Sequence, residues 1–99
     1  MLKIEKQQTD KDLCISLSGR LDSQTSPELE KEIMESIPGV TSLTLDMKEL
    51  EYVSSAGLRV FLVAMKAMKE QGEMKLVSVG DTVREILEVT GFADILTIE

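Results

Sequence analysis

The stretch DMKELEYVSSAGLRVFLVAMKAM, residues 46–68, decides how the chain is read. It starts at the end of an alternating segment, Leu43-Thr44-Leu45-Asp46, and crosses a polar connection with a short apolar step at Leu50, Tyr52 and Val53. It then reaches Ser54-Ser55-Ala56-Gly57. Beyond that point Leu58, Phe61, Leu62, Met65 and Met68 recur at helical spacing and fall on one face. Arg59, Lys66 and Lys69 lie off the stripe, and Gly72 supplies a stop. Two hydroxyls therefore stand at a helix N-terminus, where unpaired backbone N–H groups and the positive end of the helix dipole favour an anion. A serine held there is a good place for a phosphate to be attached. The same four residues also read as a plain serine cap followed by small residues that let helix and strand pack closely.

Working back towards the start, residues 2–7 alternate weakly and suit an edge strand guarded by lysines. Thr9 to Asp12 reads as a turn. Leu13, Ile15 and Leu17 then alternate with Cys14, Ser16 and Ser18, the period of a half-buried strand, so the first two strands form a hairpin. Cys14 falls opposite the leucines and reads as a small packing residue. Gly19-Arg20-Leu21-Asp22-Ser23-Gln24-Thr25 leaves as a loop, with Thr25 or Ser26 capping a helix that Pro27 preorganises. Leu29, Ile33 and Ile37 form that helix's inner face, and Pro38-Gly39 ends it. Val40 to Asp46 is the next strand.

Towards the C-terminus, Met74 to Val79 reads as a strand whose near-continuous apolar end suits an interior position. Thr82 and Glu85 have capping-box spacing at the start of a short helix that ends at Thr90-Gly91. Phe92, Ile95, Leu96 and Ile98 suit a closing strand. The order β-β-α-β-α-β-α-β gives an α/β fold, a mixed sheet with an N-terminal hairpin and parallel strands joined by helices. The loops at Gly19–Thr25 and Tyr52–Gly57 both run from strand to helix, so Asp22 and Ser55 are expected on one rim. Asp22 alternatively closes its own loop as an Asx-turn.

Composition narrows the function. Ninety-nine residues, 42% of them hydrophobic, suit one compact domain. The net charge of −7 disfavours nucleic acid and anionic membranes as partners and suits a partner with a basic patch. No apolar run is long enough to span a bilayer, and no signal peptide opens the chain, so a cytoplasmic location is expected. The chain has no histidine and one cysteine, which excludes His-based triads, phosphohistidine relays and zinc clusters. Neither a G-x-x-x-x-G-K-[ST] nor a G-x-G-x-x-G string occurs. An enzyme is not expected, nor a metal, a cofactor or a small-molecule substrate.

Several ordered motifs together resemble the STAS domain, and in particular the stand-alone bacterial anti-sigma factor antagonists. They are Leu17-Ser18-Gly19-Arg20-Leu21-Asp22, Thr25-Ser26-Pro27-Glu28-Leu29, Leu43-Thr44-Leu45-Asp46, Val53-Ser54-Ser55-Ala56-Gly57-Leu58 and Leu87-Glu88-Val89-Thr90-Gly91-Phe92. The resemblance runs from Leu13 to the C-terminus and implies one STAS domain over residues 1–99. It implies partner switching. In this scheme the unmodified antagonist binds an anti-sigma factor that is also a serine kinase, freeing the sigma factor. Phosphorylation then releases the antagonist, and a PP2C-type phosphatase resets it. The acceptor lies two positions before the family's glycine, which is Ser55 here. Asp22 matches a partner-facing aspartate, and the partner-binding set it implies is Asp22, Ser23, Gln24, Ser54, Ala56, Gly57 and Leu58. Where the family often has aspartate before the acceptor, this chain has Ser54. Other readings are a STAS scaffold or signalling module with a target outside a sigma pathway, and a sensor of a phosphate-containing ligand or nucleotide.

Overall fold

The computed structural model describes residues 2–99. Its elements are β1 (Leu2–Thr9), β2 (Asp12–Leu21), α1 (Ser26–Ser36), β3 (Ser42–Val53), α2 (Ser55–Lys69), β4 (Glu73–Val77), α3 (Asp81–Val89) and a single 3-10 turn at Phe92–Asp94. The strands form one sheet in the order β1-β2-β3-β4. β1 and β2 are the antiparallel hairpin, while β2–β3 and β3–β4 are parallel. Each parallel step passes through a helix, as parallel neighbours require. The α/β fold and mixed sheet are as the sequence implies.

Alternation sets the faces. Leu13, Ile15 and Leu17 of β2 and Leu43, Leu45 and Met47 of β3 are buried under the helices. Cys14, Ser16, Ser18, Thr44 and Asp46 occupy the other face, half-buried. α1 covers the core face of the hairpin. Lys6, on that face of β1, reaches over to Glu32 at 2.8 Å and donates to Ser36 Oγ at 3.2 Å. The stripe of α2 is broader than expected: Val60 and Ala64 join Leu58, Phe61 and Met68 in the core, while Leu62 and Met65 are half-buried.

The largest departure is in β3. Residues 47–53 are not a polar connection but the second half of a twelve-residue strand. Its pairing with β2 shifts twice, between Ser16 and Ser18 and again between Gly19 and Arg20, each time with one extra residue on β3. Such bulges break alternation. Met47, Leu50 and Val53 are therefore all buried at a spacing of three, and Asp46 Oδ1 accepts from Lys48 N at 3.0 Å within the first bulge. Gly19 and Leu21 likewise belong to β2 rather than a loop, with Gly19 at a φ of 103° opposite the irregularity.

Four smaller expectations also fail. β4 stops at Val77 because Ser78 takes a φ of 56°, and β4 is the last full strand rather than an interior one. Beyond it lies only a parallel bridge, Leu76 to Ile98, in place of a closing strand. The capping box at Thr82 does not form, since α3 starts at Asp81 after Gly80, with no side-chain cap. No described helix is long and apolar enough to cross a membrane.

Candidate functional site

The two bulges carry β2 and β3 past the end of β4, and the segments leaving them meet at one rim. Ser54 N donates to Leu21 O at 2.8 Å, joining the end of β2 to the start of α2. Asp22 and Ser54 thus each sit one residue beyond the Leu21–Val53 register pair, at the same end of the two parallel strands. The expected convergence of the two strand-to-helix loops is what the backbone builds.

Within the first loop Asp22 works locally. Its Oδ1 accepts from the backbone N–H of Gln24 at 3.0 Å and of Thr25 at 3.1 Å, the Asx-turn arrangement. Those N–H groups, Thr25 first and then Gln24, hold its carboxyl below the usual carboxylate range. Asp22 is therefore ionised at neutral pH. Neither Thr25 nor Ser26 caps α1 through its side chain. Their hydroxyls instead donate backwards, Thr25 Oγ1 to Arg20 O at 3.0 Å and Ser26 Oγ to Asp22 O at 2.5 Å. Ser26 is buried as a result, and Ser23 and Gln24 stay exposed at the loop's tip.

The second segment separates the two serines. Ser54 is the N-cap of α2, extended in backbone and half-buried, and its Oγ accepts from Gly57 N at 3.4 Å. Ser55 is the first helical residue and is exposed. Ala56 beside it is half-buried. Gly57 and Leu58, expected on the partner-facing surface, are buried beneath it. A Cβ on Gly57 would lie 2.7 Å from Leu21 Cγ and 3.0 Å from Val53 Cγ1. The glycine is what lets the helix tip descend onto the two strand ends. Leu58 anchors it from below and is only 3% exposed.

Two neighbours were not legible in sequence. Arg20 stacks on the Tyr52 ring, 4.4 Å from its centroid, because the shifted register places the two residues side by side. Exposed cation and half-buried ring flank the rim on one side. On the other side an open groove of about 480 Å³ runs between α1 and α2, lined among others by Ser23, Glu30, Lys31, Met34, Ala56 and Arg59. Met34 is 43% exposed there. No group of three or more Cys, Asp or Glu side chains among the described residues is placed to hold a metal ion.

With this geometry in hand, resemblance to known proteins becomes specific. The STAS domain profile matches residues 3–99. The anti-sigma-B factor antagonist of Listeria monocytogenes is 31% identical over 101 residues, covering 99% of this chain and 87% of its own length. Among solved structures, an anti-sigma factor antagonist from Mycobacterium paratuberculosis superposes with a TM-score of 0.89 at 21% identity, covering 99% of this chain and 85% of that one. The Bacillus cell fate determinant SpoIIAA in its phosphorylated form gives 0.76 at 20% identity, covering 98% and 91% respectively. The chain belongs to the STAS domain family. Within it, its place is among the anti-sigma factor antagonists.

Proposed function

We propose that this protein is a partner-switching antagonist. Its unmodified form docks on an anti-sigma factor that is also a serine kinase, and phosphorylation of Ser55 ends the complex. Docking uses the rim, with Asp22, Ser23 and Gln24 from one loop and Ser54, Ser55 and Ala56 from the other, of which Ser23, Gln24 and Ser55 are exposed. The kinase moves the γ-phosphoryl group of ATP to Ser55 Oγ, which loses its proton, and ADP leaves. A PP2C-type phosphatase hydrolyses the ester and returns the serine. The protein itself performs no chemistry and acts in the cytoplasm.

The observation that carries this reading is the division of labour between adjacent hydroxyls. Ser54 is engaged in capping, whereas Ser55 stands exposed at the helix tip. A phosphoryl group adds about −1.5 to −2 charge and three strong acceptors. At a helix N-terminus the fold accommodates that charge, but a closed interface would have to desolvate it. Release therefore needs no refolding. SpoIIAA, solved in both unphosphorylated and phosphorylated forms, supplies a related fold in both states.

The test is to incubate the protein with candidate serine-kinase anti-sigma factors and ATP and to locate phosphate by mass spectrometry. Ser55→Ala should abolish modification while still binding the kinase, and Ser54→Ala should leave modification in place. Phosphate appearing on Ser54, or binding unchanged by modification, would overturn the assignment. Amide shifts of the two forms should differ only near residues 20–26 and 52–62.

A further inference from the structure

We infer that Arg59 is the positioning residue for the phosphoryl group on Ser55. It draws the new charge along α2, over Ala56 and towards the α1–α2 groove, and so fixes where that charge stands on the docking surface. The inference rests on Ser55 as the acceptor, but it concerns what happens to the group after transfer.

Three observations converge on Arg59. It lies four residues after Ser55 in a continuous helix, so the two side chains share a face. Side chains on a helix lean towards its N-terminus, and the surface covered by a residue lies over the preceding turn. The reach of Arg59 is therefore back over Ala56 and Ser55. The order also matters: an anion N-terminal to its cation at this spacing is the favourable orientation. Second, Arg59 is exposed and uncommitted. The ion pairs among the described residues are Lys3–Glu5, Lys6–Glu32 and Lys75–Glu99, none of which involves it. Third, Arg59 and Ala56 line the same groove, together with Lys31 and Glu30 of α1.

The charges facing this position are thus Arg59 and Lys31 in favour of an anion, with Glu30 in the groove and Asp22 on the rim against it. A guanidinium grips a phosphate through two parallel N–H···O bonds and keeps its charge at every accessible pH. Lysine at the same place offers only a point charge. Arg59 should therefore stabilise the dianionic phosphate over the monoanion, and a phosphate committed to it is oriented along α2 towards the groove that Arg59 lines with α1.

The experiment installs phosphoserine at position 55 by genetic encoding, so that no kinase is needed, and follows the phosphorus resonance against pH. With Arg59 present, the second ionisation should lie lower than in Arg59→Gln by about 0.2–0.4 unit, the size of one helical ion pair. The Arg59 Nε–H resonance should move on phosphorylation, and Arg59→Lys should restore part of the ionisation shift. Identical titrations in the parent and Arg59→Gln proteins, with a still Nε–H resonance, would overturn the inference while leaving Ser55 as acceptor untouched. Failure of any kinase to modify Ser55 would instead remove the reading beneath it. The unphosphorylated Arg59→Gln protein should melt with the parent, which separates a lost phosphate contact from a damaged fold.

Discussion

The two ends of α2 are built on the same device and put to opposite uses. At each end a glycine lets the chain pass close to a neighbouring strand. At the far end, a Cβ on Gly72 would sit 1.9 Å from the carbonyl oxygen of Thr41, so backbone rests on backbone. Gln71 closes the same corner, its Nε2 donating to Ile37 O and Val40 O at 2.6 Å each. Gly72 N donates to Met68 O and Glu73 N to Thr41 O, so helix, loop and strand are tied at once. At the near end, the atoms nearest a Cβ on Gly57 belong to side chains, those of Leu21 and Val53, and the side-chain cap bond is a long 3.4 Å. The carbonyl end of the helix is locked into the fold, whereas the N–H end is braced from below and left open above. The proposed partner switching, in which one site meets two proteins in turn, would use that asymmetry.

The sharpest way to break this contrast is at Gly72. Gly72→Ala puts a methyl group where a carbonyl oxygen stands, and no side-chain rotation relieves it. The Glu73–Thr41 bond and the β3–β4 register that begins at Ser42 opposite Glu73 must shift. The expected loss is about 3 kcal/mol or more, near the upper end for overpacking, which for a domain of this size lowers Tm by roughly 12 °C or more. Gly57→Ala should cost less. Here Leu21 and Val53 must give way, both fully packed, but alanine recovers about 1 kcal/mol of helix propensity. The net expectation is about 1–2 kcal/mol, with the tip of α2 lifted from the strand ends. Chemical denaturation of both variants, read at the midpoint with unchanged slope, ranks them. A Gly57→Ala loss equal to or above that of Gly72→Ala would erase the difference between the ends.

The same contrast shows what one sequence reveals. Regular periods were readable: the hairpin alternation of Leu13, Ile15 and Leu17, and the apolar stripe from Leu58 to Met68. Gly57 was readable in only one of its two readings: small residues after a serine cap announce close packing, whereas the partner-facing place also given to it is buried. Gly72 passed as a simple helix stop because what it touches, Thr41, lies thirty-one positions away in the chain. The second half of β3 was hidden for a related reason. Two bulges turn its buried positions into a spacing of three, which hides the strand period of two. That shift also brings Arg20 over Tyr52, a pairing fixed by register alone. Ser55 was placed by family motif and helix phase, but the reason it differs from Ser54 is geometric: only coordinates show which hydroxyl is engaged.

Ser54 therefore gives the smallest expected effect. Replacing an N-cap serine by alanine costs about 0.5–2 kcal/mol, and the long bond to Gly57 N places this one near 0.5–1. The core beneath it does not depend on the cap, because Leu58 and Phe61 hold the first turns and Ser54 N still reaches Leu21 O. Ser54→Ala should thus lower the denaturation midpoint slightly, with the slope unchanged. Ser54→Asp should restore it, since aspartate caps as well as serine and adds a favourable charge at the dipole's positive end. That carboxylate would also sit beside the phosphate of a modified Ser55, so the gain should shrink in the phosphorylated protein. A loss above about 2 kcal/mol for Ser54→Ala would exceed the cap range and mean that the near end is locked like the far one. In that case the exposed hydroxyl at the tip would no longer support the proposed exchange of partners.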